Sequence, residues 1–398
     1  MKHSPFHART SLLCQGQNWR RWAGHLAASS YDLVHDREYH AIRNAAALLD
    51  VSPLYKYLVS GPDAARLLDR IVTRDVANLA PGRVVYTTWC DSAGKVIDDG
   101  TVAHLDGGRF RMTAAEPTFR MLHENAMRLD VEIADVSEST AALALQGPNS
   151  RAVLEALTGS DLSALKYFHV TRATAKAGER GIPVEISRTG YTGDLGYEIW
   201  LDAADALPLW DALIAAGTPY GIVPTGMLAL DIARIEAGLM LADVDYVGAR
   251  KALIASQLSS PYELGLGWTV KLDKPYFVGQ EALAAEQARG AAWKFTGINV
   301  DWDSLEALYA AVNLPPRLPT AAWRTSVPIY ERDTQVGYAT SGCWSPMLKQ
   351  YIALAHLPAE FAAPGRELEF EVTVEHRRKR AKCTVTKTPF FDPPRKKA

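Results

Sequence analysis

The sequence is short of cysteine, of net charge and of long apolar runs, and each shortage removes a class of function. Only four cysteines occur in 398 residues. They stand at 14, 90, 343 and 383, with no CxxC pair and no regular metal-ligand spacing. Structural disulfides are therefore not expected, and a reducing compartment fits. The ten histidines include no HExxH or paired spacing, which argues against a metal site. A net charge of −2 supplies no global field to recruit nucleic acid. Nothing approaches the roughly 20 apolar residues of a membrane-spanning helix, and Leu12-Leu13-Cys14 is too brief for a signal-peptide core. A cytoplasmic location is expected; Arg9, Arg20 and Arg21, in a first stretch free of acids, keep a mitochondrial leader as the lesser alternative. A dinucleotide-binding fold is disfavoured, because no GxGxxG follows a strand-like run.

What is present is enough for a multidomain soluble enzyme. With 48% hydrophobic and 22% charged residues, a chain of this length buries large cores in two or three domains. Glycines at 190, 193 and 196 punctuate Ser187-Arg188-Thr189-Gly190-Tyr191-Thr192-Gly193-Asp194-Leu195-Gly196-Tyr197-Glu198-Ile199. Val184 and Ile186 enter this stretch and Ile199 leaves it, so it reads strand, glycine-rich turn, strand, with Tyr191 and Glu198 delivered to one place. The glycines free the backbone to wrap a ligand. A carboxylate beside such a turn suits a planar ligand with two adjacent N–H donors, such as a pterin edge. A plain hairpin with a solvated Glu198 remains the alternative at this point.

An internal repeat bears on the fold. Gly61-Pro62 is followed by Leu67, Leu68 and Ile71, and Gly147-Pro148 by Val153, Leu154 and Leu157, at matching offsets. Those offsets mark one helix face, and each Gly-Pro closes a β-rich run, so both units read strand, turn, helix. The expected fold class is α+β, a pseudo-repeated body of mixed or antiparallel sheets with helices. Near residues 284–295 alanine-rich helix gives way to short β runs, including 327–330, 336–340 and 368–374, which suggest a small C-terminal barrel or sandwich. The expected division is 1–288 for the catalytic α+β region and 294–392 for the C-terminal β-barrel domain. Residues 301–325 read as a helical insertion between strands, either shaping an entrance or simply packing.

The glycine-rich segment resembles the SRTGYTGExGxE stretch of the glycine-cleavage T-protein (aminomethyltransferase) family. Further matches follow in family order: Leu49-Asp50-Val51-Ser52, Ser60-Gly61-Pro62-Asp63-Ala64, Gly94-Lys95-Val96-Ile97-Asp98-Asp99, Leu145-Gln146-Gly147-Pro148 and Arg234-Ile235-Glu236-Ala237-Gly238. Phe277 to Leu283, Thr340 to Pro346 and Pro389 to Pro393 extend the resemblance to nearly the whole chain, from about residue 30 to 393. It implies tetrahydrofolate as cofactor, gripped through its pterin by Glu198, with Tyr191, Tyr86 and Arg234 as further binding residues. It also assigns the catalytic role to Asp99, which positions and polarises the nitrogen that attacks the one-carbon unit. Neighbouring strand residues point to opposite faces, so only one of Asp98 and Asp99 faces a given pocket; a pair that merely caps the turn before Gly100 is the other reading. A C-terminal barrel closing over the folate side is a further implication.

Departures from the family pattern bear on the donor. Where T-proteins usually read ARDxLRLEAG, this chain has Leu230 in place of the arginine, and the histidine of FDVSHMG is Pro53. Losing a guanidinium removes charge and donors, while leucine adds apolar wall, a change that suits a methyl donor better than an aminomethyl group. Folate-dependent demethylases of sulfonium, methylamine or aryl methyl ether substrates form other branches of the family. In that branch Tyr246, following Leu239-Met240-Leu241-Ala242-Asp243-Val244-Asp245, is a candidate catalytic acid for a departing oxygen; an amphipathic tyrosine at a loop edge is the plain alternative. Expected partners are a small methyl or aminomethyl donor and, for a T-protein, a lipoyl carrier protein. A folate-binding module without transferase activity stays open as a second class. Trp89, Trp268 and Trp344 are candidate pocket walls, while the basic run 376–382 and Arg395-Lys396-Lys397 are either solvated or available to a folate glutamyl tail. Lys274 to Gln280 resembles the KGCYxGQE signature of a folate-binding iron–sulfur assembly relative, but lacks its cysteine.

Overall fold

The computed structural model describes residues 1–177 and 180–397. Its first two sheets are each built around one of the repeated units. Strand Tyr55–Ser60 turns at Gly61 into helix Ala64–Ile71, and strand Thr140–Gln146 turns at Gly147 into helix Ser150–Thr158. Both glycines adopt positive φ, +110° and +115°, and a Cβ at either would sit 2.7 Å from a backbone carbonyl oxygen, of Asp130 and Ala45 respectively. Any other residue would meet both strain and a clash there. The helices bury Leu67, Leu68 and Ile71 in one core and Val153, Leu154 and Leu157 in the other.

The first sheet is antiparallel throughout, in the order Val84–Cys90, Val96–His104, Phe110–Ala114, Tyr55–Ser60, Glu132–Asp135. The second has six strands, in the order Val170–Ala177, Arg180–Ser187, Gly196–Asp202, Thr140–Gln146, Ala46–Asp50, Ile222–Pro224. Only its last pair runs parallel. The expected α+β body with mixed and antiparallel sheets is what forms.

Six strands from Trp293–Val300 to Arg377–Thr386 make a closed barrel. The sequence left barrel and sandwich open; the pairing of Gly297–Val300 with Cys383–Thr386 closes the ring, which removes the exposed edges of an open sheet. Ile298, Ile329, Ala355, Phe370 and Val385 fill it. Helix Trp302–Ala310, capped by the Asp301 carboxylate accepting from the Ser304 amide at 2.7 Å, occupies the stretch read as an insertion. The basic run becomes an exposed part of the final hairpin, with Arg377, Arg378 and Lys379 in solvent. The four cysteines are buried free thiols. Among the described residues no helix is long and apolar enough to cross a membrane.

After the barrel the chain returns to the body. The Phe391 amide donates to the Glu236 carbonyl at 2.9 Å, and the Arg395 fork grips Asp194 at 2.6 and 2.8 Å. Arg43, fully buried, joins Glu236 at 2.6 Å and Asp194 at 3.4 Å, with the Phe391 ring 4.5 Å from its guanidinium carbon. Asp194 belongs to the glycine-rich turn, so the returning tail helps to hold that turn.

Candidate active site

Strand Val96–His104 carries Asp99 opposite Thr88 of its neighbour. Tyr86, two residues before Thr88 and on the same face, reaches back to donate to Asp99 Oδ2 at 2.8 Å. Tyr246 arrives from the loop after helix Met227–Glu236, donates to Asp99 Oδ1, and lies 3.4 Å from Asp98 Oδ1. Asp98 points the other way into the protein, where its oxygens accept the Asp99 and Glu116 amides, each at 2.9 Å. The two carboxylates differ in their main partners, two phenols for Asp99 and two backbone amides for Asp98, with the Tyr246 hydroxyl reaching both. Residues 98–100 lie inside strand Val96–His104, so no turn precedes Gly100 and the turn-cap alternative is overturned for both members.

Burial raises the pKa of the Asp99 carboxyl, and the two phenol hydrogen bonds oppose the rise. Asp98 is pushed well above the carboxylate range, by burial first and by repulsion from Asp99 second. Tyr86 and Tyr246 are pushed up by burial and by the Asp99 charge, which keeps both phenols protonated as donors.

Glu198 stands on the other sheet, opposite Ser187. Thr189 donates to its Oε2 at 2.6 Å. Burial raises its pKa, opposed by the Thr189 bond and by the positive field of Arg111. One hydroxyl does not exhaust the four lone-pair sites of a carboxylate, so acceptor capacity is left over. The glycines of the turn serve a different purpose from the one expected. A Cβ on Gly190 or Gly196 would fall 2.1 or 2.2 Å from Gln146 Oε1, and one on Gly193 2.4 Å from the Ala237 Cβ. The turn wraps the Gln146 side chain, which is bound at 2.8 Å by Thr192, and packs on Ala237; the glycines make room for protein, and the ligand-wrapping reading is corrected.

Arg111 ties the two carboxylate-bearing faces together. It opposes Ala103, on the face that carries Thr101 and Asp99, yet its guanidinium pairs with Glu185 and sits 4.1 Å from the Trp200 ring centre. Glu185 and Trp200 share the face of Glu198. The Asp99 and Glu198 faces therefore confront each other, with Arg111 spanning the gap. Tyr191 donates to the Met240 carbonyl, and its phenol lies within the electrostatic reach of Arg234, Asp99, Asp245 and Asp231. Arg234 is fully buried and paired with Asp245. Leu230, 7% exposed, belongs to an apolar cluster with Leu49, Val51 and Trp200, against which Tyr191, Trp22 and Met227 pack.

The structure thus brings Asp99, Tyr246 and Tyr86 into direct contact, sets Tyr191 beside them, places Glu198 across from them, and buries Arg234 in an ion pair behind Tyr191. Of the candidate tryptophans only Trp268 joins this group, its ring 6.0 Å from that of Tyr86. Trp89 is fully buried core, and Trp344 packs on Trp302 at the barrel. Arg395, offered to a glutamyl tail, is occupied by Asp194. Arg111 and Thr189 were missed. The only trace of Arg111 is a charge inside the otherwise apolar Phe110-Arg111-Met112 run, which by itself reads as an edge. Among the described residues no group of three or more His, Cys, Asp or Glu side chains is arranged to hold a metal.

Comparison with known proteins identifies the family and the fold. A family model described as the GCVT N-terminal domain matches residues 8–274, and one described as the glycine cleavage T-protein C-terminal barrel domain matches 312–392. The chain is 35% identical to an aminomethyltransferase of Halothermothrix orenii over 358 residues, covering 89% of this chain and 90% of that protein. It is 36% identical to an aminomethyltransferase of Geobacillus thermodenitrificans over 359 residues, covering 89% of each. The solved structure of glycine cleavage system aminomethyltransferase T from Bartonella henselae shares the fold, with a TM-score of 0.80 at 23% identity over 98% of both chains. With its N-terminal body and its barrel both matched, the chain belongs to the glycine-cleavage T-protein (aminomethyltransferase) family, a family of folate-dependent one-carbon transferases.

Proposed function

We propose that the protein transfers a methyl group from a small donor to tetrahydrofolate, as an O-, N- or S-demethylase. The residues present fit tetrahydrofolate: Glu198 is a desolvated carboxylate with unused acceptor sites, suited to the paired N–H donors of a pterin edge. Tyr191, Tyr86 and Arg234 are the further residues assigned to the folate side, Arg234 acting through its ion pair behind Tyr191. When bound, tetrahydrofolate supplies the nitrogen that accepts the one-carbon unit. Asp99 holds a negative charge where positive charge develops, in a site partly closed to water, and its raised pKa suits it to take up a proton. Tyr246, held protonated, gives its proton to an oxygen or nitrogen that leaves the methyl group as an anion, whereas a sulfonium donor leaves as a neutral sulfide and takes none. In this reading residues 1–288 form the folate-binding catalytic region and 294–392 the barrel domain.

The observation that carries the methyl-donor reading is the Tyr246 phenol on Asp99, an acid placed at the reacting carboxylate; the apolar setting of Leu230 supports it. A second reading, aminomethyl transfer from a lipoyl carrier protein, is favoured by the relatives named aminomethyltransferase. One experiment separates them. Purified protein is incubated with tetrahydrofolate and a panel of aminomethylated lipoyl carrier, methylamines, sulfonium compounds and aryl methyl ethers, and the folate product is identified by mass. 5-Methyltetrahydrofolate from a methyl donor is the expected result. 5,10-Methylenetetrahydrofolate from the lipoyl carrier alone selects the second reading, and folate binding without any product selects a non-catalytic binding protein.

A further inference from the structure

The outer wall of the barrel touches the loop that carries Tyr246. Ala355 and Leu357 fill the barrel, so alternation along strand Gln350–Pro358 turns His356 outward, against the body. Its strand partners Phe295 and Tyr338 flank it, with ring centres 5.1 and 5.4 Å from that of the imidazole. His356 is buried, and its Nε2 stands 2.6 Å from the Asp245 carbonyl oxygen. A carbonyl only accepts, so Nε2 carries the proton and donates it. Burial depresses the pKa of this imidazole, which keeps it the neutral ring with that one N–H.

The barrel also grips the Asp245 carboxylate. In the neighbouring strand, Thr334–Ser345, the register shifts between Ala339 and Ser341, which makes Thr340 the extra residue of a bulge. Successive residues of a regular strand face opposite ways. The bulge re-aims them, and Thr340 and Ser341 both donate to Asp245 Oδ1, at 2.5 and 2.7 Å. The other oxygen accepts from Arg234 and from the Leu241 amide, the latter at 2.8 Å. Within this loop the Asp243 amide donates to the Tyr246 carbonyl at 2.9 Å. Asp243 holds a φ of +63°, a left-handed conformation that persists where the surroundings over-determine it. Three of the bonds that do so come from the barrel, all on Asp245. The next residue is Tyr246, whose ring shares an apolar cluster with Phe295 and whose hydroxyl meets Asp99.

We propose that His356 is a positioning residue for the transfer reaction: from the barrel wall, together with Thr340 and Ser341, it fixes Asp245 and so sets the Tyr246 hydroxyl on Asp99. The inference rests on the methyl-donor reading above, in which Tyr246 is the acid, and it gives the barrel a part in the chemistry. A lost donor at Asp245 lets the backbone beside Tyr246 shift. The phenol must meet both the carboxylate and the leaving atom, so a small displacement weakens proton transfer.

A double-mutant cycle between His356 and Tyr246 tests this, read as kcat of the full chain, with tetrahydrofolate affinity as the folding control. His356→Phe keeps a ring between Phe295 and Tyr338 but cannot donate, and it is expected to lower kcat about tenfold. His356→Gln, whose amide N–H reaches toward the same carbonyl, restores most of that loss. In Tyr246→Phe, which has no proton to place, adding His356→Phe lowers kcat by less than about twofold. If His356→Phe does not fold, Thr340→Val with Ser341→Ala loosens the same aspartate from the next strand and takes its place in the cycle. Native turnover in His356→Phe, no rescue by glutamine, or losses that multiply in the double variant overturn the proposal and leave His356 as a barrel residue that satisfies a loop carbonyl. Full turnover in Tyr246→Phe, or a protein that makes neither folate product, overturns it as well. Failure of the methyl-donor reading shows itself separately, as methylene product from the lipoyl carrier alone. The same cycle run on that reaction then decides whether His356 acts through Tyr246.

Discussion

Tyr246 and Asp99, 147 residues apart in sequence, are joined by a phenol-to-carboxylate hydrogen bond between a loop and a central strand. Tyr86 closes on the other carboxylate oxygen at 2.8 Å. The carboxylate is thereby fixed in orientation by two donors that burial keeps protonated, a preorganised charge of the kind that contributes most in a site closed to water.

Tyr246→Phe is expected to lower turnover of a methyl donor about 100-fold, the scale of a lost general acid, while tetrahydrofolate affinity stays near that of the native protein. Because the phenol bond also holds down the pKa of Asp99, the acid limb of the pH–rate profile should move to higher pH. Steady-state kinetics across pH reads both effects. Unchanged turnover on the true donor removes Tyr246 from the chemistry.

Asp98→Asn should leave that limb nearly in place, because burial and the Asp99 charge keep Asp98 protonated while Asp99 ionises. Its effect on stability has a definite sign. The folded pKa of Asp98 lies well above that of the unfolded chain, so the folded protein holds this proton more tightly. The stability this confers is present at low pH and is lost as pH rises through the folded pKa. Asparagine has no proton to lose, so the variant gains on the native protein between about pH 4 and pH 7. Urea denaturation at the two values measures the difference; a constant difference would show that Asp98 titrates as in the unfolded chain.

Glu198→Gln keeps the shape but replaces half of a fork acceptor with a donor. Tetrahydrofolate should bind more weakly by about 1.5–3 kcal/mol, the value of a charge-assisted contact, corresponding to roughly tenfold or more in Kd. Titration calorimetry decides it, and undiminished affinity places the pterin elsewhere.

Arg43 and Arg395 both reach Asp194, but from different environments. Arg43→Met leaves the fully buried Glu236 short of its cation and is expected to cost about 3–5 kcal/mol, the penalty for breaking a buried pair. Arg395 keeps 39% of its side chain exposed, so Arg395→Gln should cost only about 1 kcal/mol. Denaturant midpoints of the two variants should separate clearly. Similar losses would mean that the returning tail, and not the buried pair, holds the glycine-rich turn.

How far the site was readable differs from residue to residue. Gly190, Gly193 and Gly196 were found at once, because a glycine at a tight turn is a local requirement, but their reason was not: the space they leave is filled by Gln146 and Ala237, which come from other elements. Strand alternation says only that one of Asp98 and Asp99 faces a given pocket, and the resemblance chose Asp99; their main partners differ, phenols for one and backbone amides for the other. Arg111 could not be read, since its value lies in crossing from one sheet to Glu185 and Trp200 on another. The same holds for His356, whose bond to the Asp245 carbonyl joins a barrel strand to the loop that carries Tyr246.

By itself the sequence determined the repeated strand-turn-helix units, the turn glycines, the β-rich character of the C-terminal part and the ordered motifs that carry the family resemblance. All of these are written in spacing, turn chemistry or residue identity over a few neighbours. Only the tertiary structure decided which strands close the expected barrel, that Tyr246 and Tyr86 share one carboxylate, that the Glu198 and Asp99 faces confront each other across Arg111, and that the tail returns to clamp Asp194. These are pairings between distant segments, chosen by which buried faces and charges satisfy one another once packed, and no local pattern encodes the choice.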